Sequence, residues 1–357
     1  MKRSVVFVGN CQLGALAGLY KRFVADACGD SVHYLASYQE SSAAQRQIAS
    51  EADILLHQVL DFAPKIGDLP TRAEVYLVPH LSGAFLWPHG GRAHPKNGPP
   101  PFGDPAGPYD AEIGDSFLNK LIISEVDPDE AVALYSRTDI AVTRRVDRLK
   151  ELVLERQQSR DNACGYDFAS FIEANFRTKR LFRTQNHPDD TLSKVLALSV
   201  FEKMGVASEI LGRVMAQDSL GIFPPTCAPL HPAVINFFGI TFLDPDTRYR
   251  YFDEGGYTFT EFSGRYMRYQ WNALLEEGYH LTRMGCHDEA IRTLRLAIAE
   301  SPRSASGRYA LANLLHAKGD VASAAEISGE AVNLEPSNDL IRRQWESLRA
   351  QADLLRS

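Results

Sequence analysis

Short runs of β-branched and aromatic residues alternate with amphipathic stretches from the amino end of the chain, and this alternation restricts the fold more than any other feature. Residues 4–8 form the first run and end in Gly9-Asn10, after which an amphipathic stretch covers 12–27. Residues 32–36, 53–57 and 74–78 read as further strands, with a helix over 42–52. Strands alternating with helices build a parallel sheet covered on both faces, an α/β fold whose ligands bind beyond the carboxyl ends of the strands. A fifth strand is expected at 180–184, running through Gln185-Asn186-His187-Pro188-Asp189-Asp190 into a helix that ends near Met204.

Between these parts the pattern changes. Residues 80–109 are dominated by Pro, Gly and His, including Pro99-Pro100-Pro101-Phe102-Gly103-Asp104-Pro105, and read as a functional or covering loop, with a disordered insertion as the alternative. Residues 109–123, 129–135 and 140–156 read mainly as helices. Residues 221–246, rich in Pro and aromatics, read as irregular structure.

The carboxyl-terminal part repeats at a fixed interval. Gly278 matches Ala312, Leu281 matches Leu315, Gly285 matches Gly319, Ala290 matches Ala324, Ala297 matches Ala331 and Pro302 matches Pro336, each pair being 34 residues apart. That step and its small residues are those of tetratricopeptide helix hairpins, which pack closely through small side chains and end at proline. A polar helix over 339–355 would cap the stack. Two repeats seldom stand alone, so docking on the α/β part through residues 257–271 is expected. The repeats serve either a protein partner or only the stiffness or dimerisation of the chain. The resulting division is an α/β domain over 1–256 and an all-α repeat segment over 257–357.

Composition limits the partners. The chain has 357 residues and a formal net charge of −7, which argues against a broad electrostatic grip on nucleic acid or anionic lipid. The apolar run before Gly9 is too short for a signal peptide, and no apolar window is long enough for a membrane span. A soluble, cytoplasmic protein is expected. The cysteines, Cys11, Cys28, Cys164, Cys227 and Cys286, lack CxxC spacing and suggest thiols with neither a disulfide framework nor a metal site.

Chemistry concentrates at two strand-to-helix turns. In the first, Gly9 permits close backbone approach, Asn10 can cap the helix, and Cys11 stands where helix amides favour negative charge. The turn suits a nucleophilic thiolate, or it holds an oxyanion or phosphate on its amides. A small residue filling a tight turn is the bland alternative. In the second turn His187 can exchange a proton at neutral pH, with Asp189 or Asp190 available to orient it, or it merely caps the following helix. With the fifth strand beside the first, Cys11 and His187 would face one crevice. His57, Gln58 and His80 end other strands. Arg177, Lys179, Arg180 and Arg183 form a basic cluster that suits phosphates or simply a solvated helix end. No P-loop, GxGxxG, HExxH or GxSxG motif is present, which disfavours the chemistries that depend on them.

Gly9-Asn10-Cys11-Gln12 after the first strand, Leu56-His57-Gln58 after a later one and Thr184-Gln185-Asn186-His187-Pro188 before a helix together resemble the WcbI family of polysaccharide biosynthesis acetyltransferases. The resemblance covers about residues 3–245. The architecture is also similar to SGNH hydrolases and to flavodoxin-like sheets, with Asn10-Cys11 where those hydrolases carry Asp-Ser, although their Asp-x-x-His ending is missing. The resemblance implies coenzyme A or acetyl-CoA as cofactor and acetyl transfer to a sugar hydroxyl of a surface (capsular) polysaccharide. It makes Cys11 and His187 the catalytic pair, with Gly9, Asn10, Gln12, Gln58, His80, Asn186, Arg180 and Arg183 around the oxyanion or cofactor. A thioesterase or carbohydrate esterase, and a non-catalytic ligand-binding scaffold, are the alternatives.

Overall fold

The computed structural model describes residues 3–61, 72–98, 108–223, 226–251, 255–270, 272–336 and 338–356. Two compact units emerge, and the chain passes between them more than once. The first comprises Met1–Pro88, Asp139–Pro224 and Leu230–Asp244, the second His89–Thr138, Pro225–Pro229 and Pro245–Ser357.

The first unit is built on four parallel strands, β1 (Ser4–Gly9), β2 (Ser31–Ala36), β3 (Ile54–Val59) and β4 (Glu74–Pro79), in the order β2-β1-β3-β4. Central position explains why β1 is uninterruptedly apolar. Val5, Val6, Phe7 and Val8 are fully buried, because both faces of a parallel sheet are covered. Val6 and Val8 pack with Ala49 of the helix Ala43–Ser50, while Phe7 meets Tyr20, which in turn meets Phe201. The helix expected over 42–52 runs over Ala43–Ser50 and begins with a capping box, Ser42 with Gln45.

Several expected elements differ. Residues 180–184 form no strand: β1 already has a neighbour on each side, and the segment contributes one isolated bridge between Phe182 and Pro188. Arg183 N–H donates to His187 O and closes a short loop over 183–187. The helix expected over 140–156 is broken at Arg145, whose φ is 47°, into Ile140–Thr143 and Val146–Cys164. Within 221–246 a helix, Pro232–Phe238, is capped by His231 and stopped by Gly239 at φ 63°. Of 80–109, residues 99–107, with the proline-rich run, lie outside the described residues; Ala84–Leu86 makes one 3₁₀ turn.

Among its described residues the second unit is mainly helical, with a two-stranded ribbon, Tyr249–Tyr251 with Gly255–Tyr257. Only Ser116–Ile123 of the helix expected over 109–123 forms, capped by Asp115; a Cβ on Gly114 would fall 1.8 Å from Arg92 O, so that segment is packed too closely to coil. The helix Phe259–Arg268 packs on Pro128–Arg137 and on Ser116–Ile123. It also meets the repeat part: Arg265 pairs with Glu335 at 3.3 Å, and Asn338 donates to Tyr257 Oη at 3.1 Å. Trp271 lies outside the described residues.

The 34-residue step recurs in the backbone of the helices Ala273–Arg283, His287–Glu300, Ala305–Ala317, Val321–Leu334 and Asp339–Arg356. Gly285 and Gly319 both end a helix at positive φ, 75° and 84°. Cys286 and Asp320, next in line, have ψ of 62° and 69°, and the helix-ending Ser301 and Glu335 have ψ of 75° and 72°. Ala290, Ala297, Ala312, Ala324 and Ala331 are all buried, and a Cβ on Gly278 would meet Leu294 at 2.6 Å. Small residues thus stand where neighbouring helices touch. Among the described residues no helix is long and apolar enough to cross a membrane.

Candidate active site

The turn after β1 lies at the carboxyl edge of the sheet. Gly9 has no room for a side chain, since a Cβ would fall 2.6 Å from Gln58 Oε1 and 2.8 Å from Leu13 Cγ. Its carbonyl accepts from Ser37 N at 2.8 Å and Tyr34 Oη at 3.1 Å. Asn10 caps the first helix, α1 (Cys11–Tyr20), accepting from Gln12 N at 2.9 Å through its side chain and from Leu13 N and Gly14 N through its carbonyl. Cys11 is therefore the first residue of the helix and is half-buried. Tyr34 stands beside it: burial, then Tyr38, then Cys11 push the phenol pKa above its ordinary value.

Beneath the turn lie two buried carboxamides. Gln58 Oε1 accepts from Asn10 N at 2.8 Å, and Gln58 Nε2 donates to Gln12 Oε1 at 3.4 Å. Gln12 Nε2 donates to Leu81 O at 2.7 Å and to Asn186 O at 2.6 Å, while Gln12 Oε1 also accepts from Leu81 N at 3.0 Å. The loop after β4 completes the join. Ser82 Oγ donates to Asn186 Oδ1 at 3.3 Å, and Gly83 N donates to Gln185 O at 2.8 Å. The 183–187 loop thus reaches the first turn without a fifth strand, fastened at Asn186, the residue before His187. His187 is half-buried, its ring 5.0 Å from that of Phe223.

Gly9, Asn10, Gln12, Gln58 and Asn186 consequently meet in one network, and Cys11 and His187 are carried by it. The other candidates are engaged differently. Arg183 pairs with Asp189 and Asp190, both at 3.3 Å, so these carboxylates face the guanidinium. Asp189 also caps the helix Asp190–Lys203. Arg180 lies over the Phe242 ring at 5.9 Å, and Arg177 over Phe176 at 4.3 Å beside Glu173. His80 closes β4 by donating its N–H to Val59 O at 3.2 Å. His57 sits in register with Val8 and Leu77, and burial pushes its pKa down.

Sequence reasoning missed three participants. Ser82 and Gly83 lie in a loop without a motif, although a Gly83 Cβ, 2.5 Å from the Phe182 ring, shows why that position is glycine. Ser37 follows β2, donates its amide to Gly9 O, and is 1% exposed; its hydroxyl has no hydrogen-bond partner among the described residues. A buried hydroxyl in that state lacks a bond worth about 1–3 kcal/mol, which a bound polar group would restore.

A thiol opening the first helix at the carboxyl edge of a parallel sheet, with a histidine loop tied to the same turn, has the layout of an α/β enzyme site. The family model described as polysaccharide biosynthesis enzyme WcbI matches residues 4–209, more than half of the chain, and the chain belongs to that family. The fold is also similar to a solved structure of WcbI, described as a novel polysaccharide biosynthesis enzyme and as the native protein without a disulfide bond between coenzyme A and one of its cysteines. That likeness has a TM-score of 0.53 at 14% identity and covers 98% of this chain and 99% of the other. It therefore extends past the family match into the carboxyl-terminal helices. No curated protein matches the chain.

Proposed function

We propose that this WcbI-family enzyme is an acetyl-CoA-dependent O-acetyltransferase acting on a sugar hydroxyl in surface polysaccharide biosynthesis, working in the cytoplasm. The observation that carries the reading is the fastening of the His187 loop to the Cys11 turn through Gln12. Coenzyme A fits the turn on two counts: the half-buried Cys11 thiol and the buried Ser37 hydroxyl lacking a partner among the described residues. Arg180 and the neighbouring Lys179 suit the phosphate end, since Arg183 is already paired.

Coenzyme A supplies the acetyl group as a thioester. His187 takes the proton of the sugar hydroxyl as the acetyl–oxygen bond forms, and the acetyl–sulfur bond breaks so that coenzyme A leaves as a thiol. Cys11 acts in one of two ways. It receives the acetyl group first and passes it on, or its own backbone amide, with Asn10, holds the carbonyl oxygen during direct transfer.

The helix hairpins over 273–334 are read as tetratricopeptide repeats that bind a protein partner. The recurrence of backbone angles at the 34-residue step supports the repeat reading, and the partner is proposed from it.

The test is calorimetric titration with coenzyme A and acetyl-CoA of the chain and its Gly9→Val variant. Micromolar binding that the variant loses, followed by acetyl transfer to a sugar acceptor, is expected. A folded protein that binds neither molecule overturns the reading. Release of free acetate at the full rate of turnover without a sugar would make the protein an esterase or thioesterase instead.

A further inference from the structure

We infer that Gln12 is the positioning residue of this site: it sets where His187 stands relative to Cys11 and does not itself contact the ligand. The inference rests on the proposed Cys11–His187 pairing. It starts from exposure, for Gln12 is 2% exposed and both polar atoms of its side chain are spent on protein. Nε2 gives its two hydrogens to Leu81 O and Asn186 O; Oε1 receives Leu81 N and Gln58 Nε2. A planar carboxamide has two donors and two acceptor positions, so none is left for a cofactor.

The bonds form a directional relay. Asn10 N–H donates to Gln58 Oε1, Gln58 Nε2 to Gln12 Oε1, and Gln12 Nε2 to Asn186 O. Its ends are the amide of Asn10 and the carbonyl of Asn186, the residues immediately before Cys11 and His187, which lie 176 positions apart in the chain. Each link lies where an unsatisfied polar group costs about 1–3 kcal/mol, so the relay resists loosening one bond at a time. The loop over 81–83 braces it, through Leu81 on Gln12 and Gly83 on Gln185. Glutamate in place of Gln12 would keep the acceptor and lose both donors; methionine would keep the shape and lose both functions.

The experiment follows carbamidomethylation of Cys11 by iodoacetamide between pH 5.5 and 9 in the full chain, read peptide by peptide, with exposed Cys28 as internal standard. Four proteins are compared: the natural chain, His187→Ala, Gln12→Met and Gln12→Glu. The natural chain should show a Cys11 rate profile that His187→Ala alters. Gln12→Met should reproduce the His187→Ala profile, with Cys11 about tenfold slower near neutral pH, while Cys28 is unchanged. Hydrogen exchange should quicken in peptides spanning 81–83 and 183–187 and stay unchanged in β1. Should Gln12→Met fail to fold, Gln12→Glu decides by the same profile. A Gln12 variant that keeps the natural His187-dependent profile overturns the positioning role. A natural chain whose profile is already indifferent to His187→Ala overturns the pairing itself, which distinguishes failure of the proposed chemistry from failure of this inference.

Discussion

Cys11 and His187 each follow a residue whose peptide group is tied down, Asn10 to Gln58 and Asn186 to Gln12. Substitutions at the two should therefore read as chemistry more than as folding. On the proposed acetyltransferase reading, His187→Ala is expected to lower acetyl transfer by about 10²–10⁴-fold with coenzyme A binding retained, the usual loss for a general base. Cys11→Ser separates the two routes, because direct transfer survives a serine whereas transfer through the sulfur falls severely; single-turnover kinetics with mass detection of an acetylated enzyme reports which. Gly9 belongs to packing. With Gln58 Oε1 2.6 Å and Leu13 Cγ 2.8 Å from an added Cβ, Gly9→Ala should destabilise the protein by about 1–3 kcal/mol, seen as a lowered thermal midpoint. The Gly-Asn-Cys-Gln turn is legible in sequence because glycine, a capping side chain and a helix start leave a local signature. The use made of Gln12 is not, since its partners at 81 and 186 are set by tertiary contact.

Some helix starts and stops rest on requirements that are local. Ser42 with Gln45 and the glycine stops at 285 and 319 are side-chain and φ requirements met within one turn. The strand expected at 180–184 failed because strand propensity is local, whereas membership of a sheet needs an open edge, and the edges here are β2 and β4. Burial at the start of the helix Ser116–Ile123 also has consequences for pH. Asp115 accepts from Phe117 N, Leu118 N and Tyr135 Oη, yet burial pushes its pKa up to about 6. His94 donates from Nε2 to Tyr266 O and accepts Lys96 N at Nδ1, which leaves it neutral, and burial pushes its pKa down to about 4. The two act in opposite senses. Asp115 contributes stability below its ordinary 3.8 that is lost as pH rises through about 6. His94 contributes stability above its ordinary 6.5 that is lost as pH falls toward about 4. Denaturant midpoints between pH 4 and 7.5 should show the natural chain losing roughly 1–3 kcal/mol relative to His94→Gln on acidification, and a similar amount relative to Asp115→Asn as pH rises. Differences that do not vary with pH would remove both assignments.

At the scale of the whole molecule the chain contributes separate segments to one unit, since 89–138 belongs with 245–357. Removing the chain after residue 256 would strip Tyr266 from His94, Asp115 and Asn119, all of which it contacts. Such a truncation should lose hydrogen-exchange protection across 108–138 while the sheet of the first unit keeps it, and equal protection in both forms would refute the dependence. The sequence by itself determined the alternating α/β beginning, the repeating helical end, the cap at Asn10 and the family to which the Cys11 turn belongs. The first three follow from periodicity, capping and glycine φ, which act over a few residues or recur at a fixed step, and the family rests on the match over residues 4–209. Only the tertiary structure decided that residues 180–184 stay out of the sheet, that Arg183 is consumed by Asp189 and Asp190, and that Gln12 ties the His187 loop to the Cys11 turn. Those outcomes depend on which buried donors and acceptors find partners across the fold, and a pairing between residues 12 and 186 leaves no periodic trace along the chain.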